Sequence, residues 1–261
     1  MDAQRFAGKV AVVTGAGVGI GRAVAQRLAA EGASVAVVDR DAPAAEATAQ
    51  ALQEGGHRAE AVAVDITSPA AVEDATRQVV EAFGGIDVLV NNAGVVRYGR
   101  VPEFSVEDWD LVVDTNLKGT FLTIKYAVPF MRERGGGAIV NTASAQAFAS
   151  QPLVAAYSAS KGAIVAMTRT LALDHAADGI RVNCICPGSV ETPMLQYGAE
   201  YLVEGDSRTT MDQWGRQHPI GRLIQPEEIA AVTAFLASDD AAAITGAPYL
   251  VDGGLLARLG V

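Results

Sequence analysis

Short runs of β-branched and small apolar residues alternate with longer helical stretches along most of this chain, and this alternation most constrains its fold. Such a pattern is typical of βαβ units, whose strands pair in parallel and whose helices cover both faces of the sheet. We predict an α/β fold in which residues 1–261 form one doubly wound domain with a sheet of about seven parallel strands. The strands are predicted at 10–13, 34–38, 59–64, 88–90, 138–141, 181–185 and 248–251.

Capping signals place the helices between these strands. A helix is predicted over 21–31, and another over 69–83, where Ser68 is the cap and a proline takes the first helical position. A capping box at Ser105 predicts a long helix over 105–134, kinked near its end by Pro129. A helix that carries Tyr157 is predicted to continue to Ala177 and to end at Asp178 and Gly179.

Residues 191–219 interrupt the alternation, with an irregular period and several glycine or proline breaks. Long insertions in compact domains are usually functional loops, and the aromatic content of this one argues against disorder. We interpret it as a small lid over a substrate; the alternative is a helical pair that packs on the sheet edge. Its large apolar side chains are Met194, Tyr197, Tyr201, Met211 and Trp214.

Charge and composition exclude several classes of partner. The chain has 30 acidic and 20 basic side chains, a formal net charge of −10, and no block of like charges. Nucleic acid and anionic membranes are therefore not expected as partners. No apolar run reaches the length of about 18 residues that a membrane span needs, and no leader pattern precedes the first strand. We expect a cytoplasmic protein.

The two cysteines and three histidines do not predict a metal site. Cys184 and Cys186 lie two apart in a predicted strand, so they point to the same face, where a disulfide between them has poor geometry. We expect them to act as small core hydrophobes. His57, His175 and His218 are scattered without the spacing of metal ligands, and no metal is expected.

A glycine-rich turn follows the first strand and opens the first helix. Glycines there let the main chain turn sharply and approach a pyrophosphate, which helix N-terminal amides bind. The spacing departs from the common dinucleotide fingerprint because Ile20 takes the place of its third glycine, and a generic tight turn remains the alternative. The residues assigned to the cofactor here are Gly15, Gly17, Gly19, Ile20 and Gly21.

Side chains at the ends of the next strands suit an adenine dinucleotide. Asp39 ends the second strand, where its carboxylate can accept bonds from ribose hydroxyls and repel a 2′-phosphate, so NAD is favoured over NADP. Arg40 could pair with such a phosphate, but we prefer a solvated charge. Asp65 is placed for the adenine amino group with Ile66 against the ring; a strand-end cap is the alternative. After the fourth strand, small residues and amides face the ligand edge: Asn92, Ala93 and Gly94.

Ser144, Tyr157 and Lys161 form the most informative chemical pattern. Tyr157 and Lys161 are four apart, so on a helix they share one face. A free phenol titrates near about 10, and a cation about 4 Å away supplies about 4 kcal/mol at an effective dielectric of about 20, enough to lower its pKa by about 3 units. Such a phenol acts as a general acid or base near neutral pH. Taken alone, the pair also fits an ordinary helix face.

Five motifs in this order resemble the short-chain dehydrogenase/reductase family: residues 14–21, 91–94, Ser144, Tyr157 with Lys161, and 187–192. The resemblance covers nearly the whole chain. It implies a Rossmann-type fold and an enzyme that transfers hydride between NAD and an alcohol or ketone. The family's members commonly assemble as homotetramers, so the resemblance implies a homotetramer, with a homodimer as the alternative. The apolar tail of Leu255, Leu256, Leu259 and Val261 fits such an interface, and packing of the tail on its own subunit is the alternative.

The resemblance also implies roles for single residues. Asn116 would complete a catalytic tetrad with Ser144, Tyr157 and Lys161, and Thr192 would contact the nicotinamide carboxamide. Asn116 bonding only its own helix backbone is the alternative. The turn after the sixth strand would supply the remaining cofactor contacts, from Pro187, Gly188 and Val190.

The substrate is less constrained than the chemistry. We expect a secondary alcohol or ketone, such as a cyclic alcohol or a sugar. The alternatives are reduction of 3-oxoacyl groups on an acyl carrier protein with NADPH, docked by Arg132, Arg134 and Arg169, and a non-catalytic NAD-binding regulator. The predicted pocket residues are Val96, Tyr98, Gln146, Phe148, Gln151, Pro152, Met194 and Tyr197.

Overall fold

The sheet contains seven parallel strands in the order β3-β2-β1-β4-β5-β6-β7. The computed structural model describes residues 4–203 and 206–258. The predicted α/β class and every predicted strand are confirmed, with ends that move by one or two residues. The strands are β1 (Val10–Thr14), β2 (Ser34–Asp39), β3 (Ala59–Ala63), β4 (Val88–Asn91), β5 (Gly137–Thr142), β6 (Ile180–Pro187) and β7 (Pro248–Val251).

Helices connect the strands and cover both faces of the sheet. The predicted helix over 69–83 has the expected Ser68 cap, whose hydroxyl accepts a bond from the Ala71 amide. The predicted first helix begins two residues earlier, at Gly19. The helices are α1 (Gly19–Ala30), α2 (Ala42–Glu54), α3 (Pro69–Phe83), α4 (Val106–Val113), α5 (Gly119–Glu133), α6 (Ala155–Asp174), α7 (Pro193–Leu202), α8 (Ser207–Gln217) and α9 (Pro226–Ala237).

Two long helices differ from their predictions. The predicted helix over 105–134 contains a π-helical turn, Asp114–Lys118, that joins α4 to α5. Pro129 lies within α5, and its kink stays a prediction. The helix predicted to reach Ala177 ends at Asp174, and a short 3₁₀ turn follows before Gly179 adopts a left-handed conformation with φ 70°. The glycine therefore ends the 3₁₀ turn rather than the α-helix itself.

Alternate residues of the strands supply two apolar layers. On one face Val13, Val35 and Val37 pack in a core that includes Leu28 of α1 and Ile229 of α9. The neighbouring residues of the same strands point the other way and pack with α3 and α5. A two-faced core of this kind is typical of a parallel sheet buried on both sides, and it leaves the strand ends as the places where polar side chains meet.

Within the segment 191–219, the described residues contain two helices, α7 and α8, which agrees with the helical pair given as the alternative to an irregular lid. Ala199 of α7 and Met211 of α8 share a small apolar cluster with Leu223, which follows α8, and Leu195 and Trp214 pack against this cluster. The sequence of α8 is mostly polar, and its two large apolar residues are Met211 and Trp214. One predicted interruption, Gly205, lies outside the described residues, as do Leu259 and Val261 of the predicted apolar tail.

Two searches of the described residues gave negative results. In 4–203 and 206–258, no helix is long and apolar enough to cross a membrane. Within the same ranges, no group of three or more His, Cys, Asp or Glu side chains has an arrangement that could hold a metal ion. Cys184 and Cys186 are free thiols, buried in β6 within a small apolar cluster, as predicted.

Candidate active site

A cleft of about 860 Å³ opens at the carboxyl ends of the strands. Sheet order reverses between β1 and β4, and the crevice at such a switch point is where open α/β sheets bind ligands. Most of the residues predicted for cofactor and catalysis line this cleft. They are Gly15, Gly19, Ile20, Asp39, Arg40, Asp65, Ile66, Asn92, Ala93, Gly94, Ser144, Tyr157, Lys161, Pro187, Gly188, Val190 and Thr192.

The glycine turn leaves no space for side chains at two positions. A Cβ on Gly21 would lie 2.1 Å from the Gly15 carbonyl oxygen, and Gly15 itself has φ 63° with the Ala93 Cα only 2.8 Å from a Cβ position. Gly21 therefore allows the close approach that the common fingerprint assigns to its third glycine. Gly17 and Gly21 support the turn from behind and do not line the cleft.

The first turn of α1 is suited to an anion. It contains no acidic residue, and no side chain caps the helix at Val18. Unpaired N-terminal amides and the helix dipole favour a phosphate group at this place. The open turn beside these amides fits the pyrophosphate of a dinucleotide.

Asp39 is fixed by the main chain next to this turn. Its Oδ2 accepts a bond from the Gly17 amide at 2.9 Å and its Oδ1 accepts one from the Asp41 amide at 3.1 Å. An ionised carboxylate has further lone pairs, which remain for ribose hydroxyls. Arg40 is exposed at the rim.

Asp65 is a strand-end cap that also lines the cleft, and its contact with the adenine amino group stays a prediction. Its Oδ1 accepts bonds from the amide of Thr67 at 2.9 Å and from the hydroxyl of that residue at 2.8 Å, which makes it a strand-end cap. It is also exposed at the cleft, where buried Ile66 lies beside it.

Asn92 braces the glycine turn from β4. Its side-chain amide donates to the Thr14 carbonyl at 3.2 Å and the Gly15 carbonyl at 3.1 Å. The Thr14 hydroxyl in turn accepts bonds from the main-chain amides of Asn92 at 3.0 Å and Ala93 at 3.1 Å. These bonds tie the carboxyl ends of β1 and β4 together and fix the floor of the cleft.

Ser144, Tyr157 and Lys161 meet at the centre of the cleft. Ser144 follows β5, and its hydroxyl accepts a bond from the Gln146 amide at 3.1 Å. Lys161 is only 3% exposed. Its Nζ donates to the Thr142 carbonyl at 2.7 Å and lies 5.5 Å from the centre of the Tyr157 ring. The serine, phenol and ammonium therefore face one space, although they come from β5 and α6.

Burial is the largest influence on the pKa values of Tyr157 and Lys161. It raises the pKa of Tyr157 above its usual value, and the hydrogen bond from Ser144 lowers it by less. We expected Lys161 to depress the pKa of Tyr157, but burial is the largest influence on this phenol and raises its pKa. Burial also lowers the pKa of Lys161 to about 8.

Asn116 lies in the π-helical turn behind these groups. Its Oδ1 accepts a bond from the Val95 amide at 2.8 Å, and its Nδ2 donates to the Val95 carbonyl and the Ser160 hydroxyl, both at 3.0 Å. A Cβ on Gly94 would lie 3.2 Å from the Asn116 Oδ1 and 3.5 Å from the Lys161 Nζ. Asn116 thus sits near the ammonium behind the cleft wall, and π-turns are frequent at functional sites.

Known proteins resemble this chain over nearly its full length. A family model described as enoyl-(acyl carrier protein) reductase matches residues 15–256. The meso-2,3-butanediol dehydrogenase of Serratia marcescens is 43% identical over 257 residues, 98% of each chain. The chain belongs to the short-chain dehydrogenase/reductase family. It is therefore an oxidoreductase, as the motifs implied.

Other similar proteins are named for different substrates. The cyclohexanol dehydrogenase of Acinetobacter sp. is 39% identical over 251 residues, 96% of each chain. The structure of L-sorbose reductase from Gluconobacter frateurii, complexed with NADPH and L-sorbose, has a TM-score of 0.93 at 38% identity and covers 99% of this chain and 100% of that one. Levodione reductase has a TM-score of 0.94 at 36% identity, covering 97% and 100%.

The substrate side of the dehydrogenase differs in part from its prediction. Val96, Tyr98, Gln146, Gln151 and Met194 line the cleft, whereas Phe148, Pro152 and Tyr197 do not. Phe148 is exposed after a short 3₁₀ turn that directs it to solvent. Tyr197 lies on α7 outside the cleft and packs on Tyr98, with ring centres 6.1 Å apart.

Several cleft residues of this dehydrogenase were missed because distant segments bring them there. Trp214 and Gln217 come from α8, and Leu255 and Leu256 come from the chain after β7. A further missed residue, His218, is buried behind the cleft although its sequence position gave no ligand spacing. Only its place immediately before a proline, at the end of the inserted segment, marked it in the sequence.

Proposed function

We propose that this protein is an NAD-dependent dehydrogenase/reductase that transfers hydride between the cofactor and an uncharged secondary alcohol or ketone. The observation that carries the proposal is the meeting of Ser144, Tyr157 and Lys161 at one cleft beside the glycine turn. These three side chains supply a proton donor or acceptor, a hydrogen bond to the reacting oxygen, and a neighbouring cation.

Tyr157 holds the proton that the reaction moves. As a neutral phenol it gives this proton to the ketone oxygen, and as a phenolate it takes the hydroxyl proton of an alcohol. Ser144 bonds the same oxygen and steadies the charge that develops on it. Bound nicotinamide supplies or accepts the hydride.

Lys161 and Asn116 support Tyr157 from behind. Lys161 favours the phenolate electrostatically and is placed to bond the cofactor ribose, while its Nζ is already held by the Thr142 carbonyl. Asn116 holds the main chain at Val95 and steadies a water between Lys161 and solvent. Its bonds to Val95 and Ser160 give it a fixed orientation for that role.

Asp39 supports the choice of NAD over NADP. Its carboxylate is held at the cleft by two main-chain amides, where a 2′-phosphate would meet its negative charge. Exposed Arg40 remains a solvated charge in this proposal. The NADPH in the sorbose reductase structure is a reason to test the preference directly.

The walls around the reacting oxygen favour an uncharged substrate. The lining of the cleft combines apolar side chains with the amides of Gln146, Gln151 and Gln217. Amides next to apolar walls suit a small polyol or a cyclic alcohol. The butanediol, cyclohexanol and sorbose of the named relatives are all neutral alcohols or carbonyl compounds.

Reduction of acyl groups on a carrier protein is not favoured. Two of the arginines expected to dock an acidic carrier have partners elsewhere: Arg132 pairs with Asp178 at 2.8 Å, and Arg134 pairs with Asp87 at 3.0 Å. Arg134 lies at the amino ends of the strands, opposite the cleft. A non-catalytic regulator is disfavoured because the reactive side chains are complete and share one cleft.

We also propose that residues 1–261 form one catalytic domain, with 191–219 as a lid, and that the protein is a cytoplasmic homotetramer, or alternatively a homodimer. One sheet from Val10 to Val251 supports the single domain, and the free thiols of β6 suit a reducing compartment. Large apolar side chains are exposed on several elements, and three of them support subunit contacts. They are Trp109 on α4, Phe121 on α5 and Leu250 on β7.

Turnover of a substrate panel tests this function. Vicinal diols, cyclic alcohols and sugars should reduce NAD, with kcat/KM at least about tenfold higher for NAD than for NADP, a difference of about 1.4 kcal/mol. A strong preference for NADP would reject the assignment of Asp39. Activity on no alcohol or ketone of the panel would reject the dehydrogenase function.

A further inference from the structure

His218 is a buried histidine that the proposed reaction does not use. It follows α8 and is 1% exposed. Its Nε2 lies 3.0 Å from the Ser189 main-chain nitrogen, and its Nδ1 lies 3.0 Å from the Trp214 carbonyl oxygen. Because the Ser189 amide donates, Nε2 must accept, so the proton is on Nδ1 and donates to Trp214. The imidazole is therefore neutral in this arrangement.

The imidazole connects the lid to the loop that follows β6. A Cβ on Gly188 would lie 2.7 Å from the His218 Nε2, so only glycine leaves room for the ring at this distance. On either side of the Ser189 amide, the loop is held by main-chain bonds: Gly188 donates to the Val251 carbonyl at 3.1 Å, and the Ser189 carbonyl accepts from Ile224 at 3.0 Å. His218 adds a hydrogen bond from the Ser189 amide, which lies between these two main-chain bonds.

This loop forms the cleft wall opposite the glycine turn. Val190 and Thr192 follow Ser189 directly and line the cleft. The Thr192 Cγ2 lies 3.2 Å from the position of a Cβ on Gly19, so the wall and the turn face each other closely. A shift of the Ser189 amide is therefore expected to move Val190 and Thr192, the groups proposed to contact nicotinamide, more than Asp39, which the Gly17 and Asp41 amides hold on the adenosine side.

We propose that His218 is a positioning residue for the nicotinamide half of the cofactor. Its neutral ring holds the Ser189 amide and so fixes Val190 and Thr192 at the distance that the nicotinamide requires. His218 does not touch the cofactor and acts through the loop. This inference rests on the proposed cofactor site.

Binding of NAD and of ADP-ribose separates this role from general support of the fold, because ADP-ribose lacks only the nicotinamide. Affinities measured by calorimetry for wild type and His218→Leu should show NAD binding weakened about tenfold and ADP-ribose binding changed less than twofold. His218→Gln, whose amide oxygen reaches the place of Nε2, should restore most of the NAD affinity. His218→Asn reaches only the place of Nδ1 and should behave like the leucine variant; it also serves if the leucine variant does not fold.

Three outcomes would overturn the inference. Equal losses for both ligands would show that His218 supports the whole cleft, and unchanged NAD affinity would show that the bond has no role in binding. No binding of either ligand to wild type would reject the cofactor site itself. A protein that binds NAD with the expected pattern but oxidises no alcohol would reject the proposed function alone.

Discussion

The two edges of the sheet differ in whether a charged side chain has a partner of opposite charge. At the carboxyl edge, Lys161 is buried with one carbonyl partner, and within the described residues it forms no ion pair. At the amino edge, Arg134 donates two bonds to the Asp87 carboxylate, at 3.1 and 3.0 Å. Burial lowers the pKa of Lys161 to about 8, whereas Asp87 raises the pKa of Arg134.

This difference separates chemistry from stability. At the amino edge, where helices end with their free carbonyls, a charge paired with an opposite charge stabilises the fold. Its hydrogen-bonding groups are already used by its partner and are not available to a ligand. A desolvated cation without a carboxylate is costly to the fold but is available to a phenolate or a ribose. Substitutions at the carboxyl edge should therefore change catalysis, and those at the amino edge should change stability.

The largest effect is expected at Tyr157. Tyr157→Phe removes the only proposed proton donor while leaving the ring, so kcat should fall about 10³-fold, equivalent to about 4 kcal/mol. The measurement is steady-state turnover of an alcohol with saturating NAD. Tyr126→Phe in α5 removes a phenol outside the cleft and should stay within about twofold of wild type. A kcat of Tyr157→Phe above a tenth of the wild-type value would show that Tyr157 is not the general acid/base.

A smaller effect is expected from the titration of Lys161. Its pKa is about 8 in the folded protein against the ordinary 10.5. Between pH 8 and 10.5 the unfolded chain keeps a proton on Lys161 that the folded protein has released, so the free energy of unfolding rises with pH. Below pH 8 the folded protein bears the full cost of burying the charged ammonium. Relative to Lys161→Met, wild type should gain up to about 3 kcal/mol between pH 7 and 10.5.

Urea unfolding of both proteins at several pH values measures that gain. Other groups titrate in both chains, so the difference between the two unfolding free energies isolates Lys161. A difference that is constant from pH 7 to 10.5 would show that the ammonium is solvated or paired in the folded protein.

The sheet was predictable because its signals are local. Runs such as Val10–Thr14 contain enough β-branched residues to mark a strand, and the turn at Gly15 and Gly21 marks the switch from strand to helix. In a parallel α/β fold, strand ends meet at one edge, so residues far apart in sequence could be assigned to one cleft. Tyr157 and Lys161 were found by their spacing of four residues, and the family resemblance linked Ser144 to them.

The remainder depends on contacts between distant segments. Asn116 lies in a π-helical turn and is held by bonds to Val95 and Ser160, which no local sequence pattern predicts. His218 is informative only through Ser189, and Tyr197 turned from the cleft because Tyr98 packs against it. Where a side chain's partner is a main-chain group or a ring from elsewhere, sequence spacing gives no signal.

The smallest effect is expected at the amino edge. Asp87 accepts bonds from Arg134 and, at 2.8 Å, from the Val10 amide, and its side chain is only 7% exposed. Asp87→Asn should lower the free energy of unfolding by about 2 kcal/mol, the usual range for a hydrogen bond to a charged group, with kcat unchanged in the folded fraction. Glu73→Gln disrupts an exposed pair with Arg77 and should cost under about 0.5 kcal/mol. A fall in kcat for Asp87→Asn without loss of stability would contradict the division between the two edges.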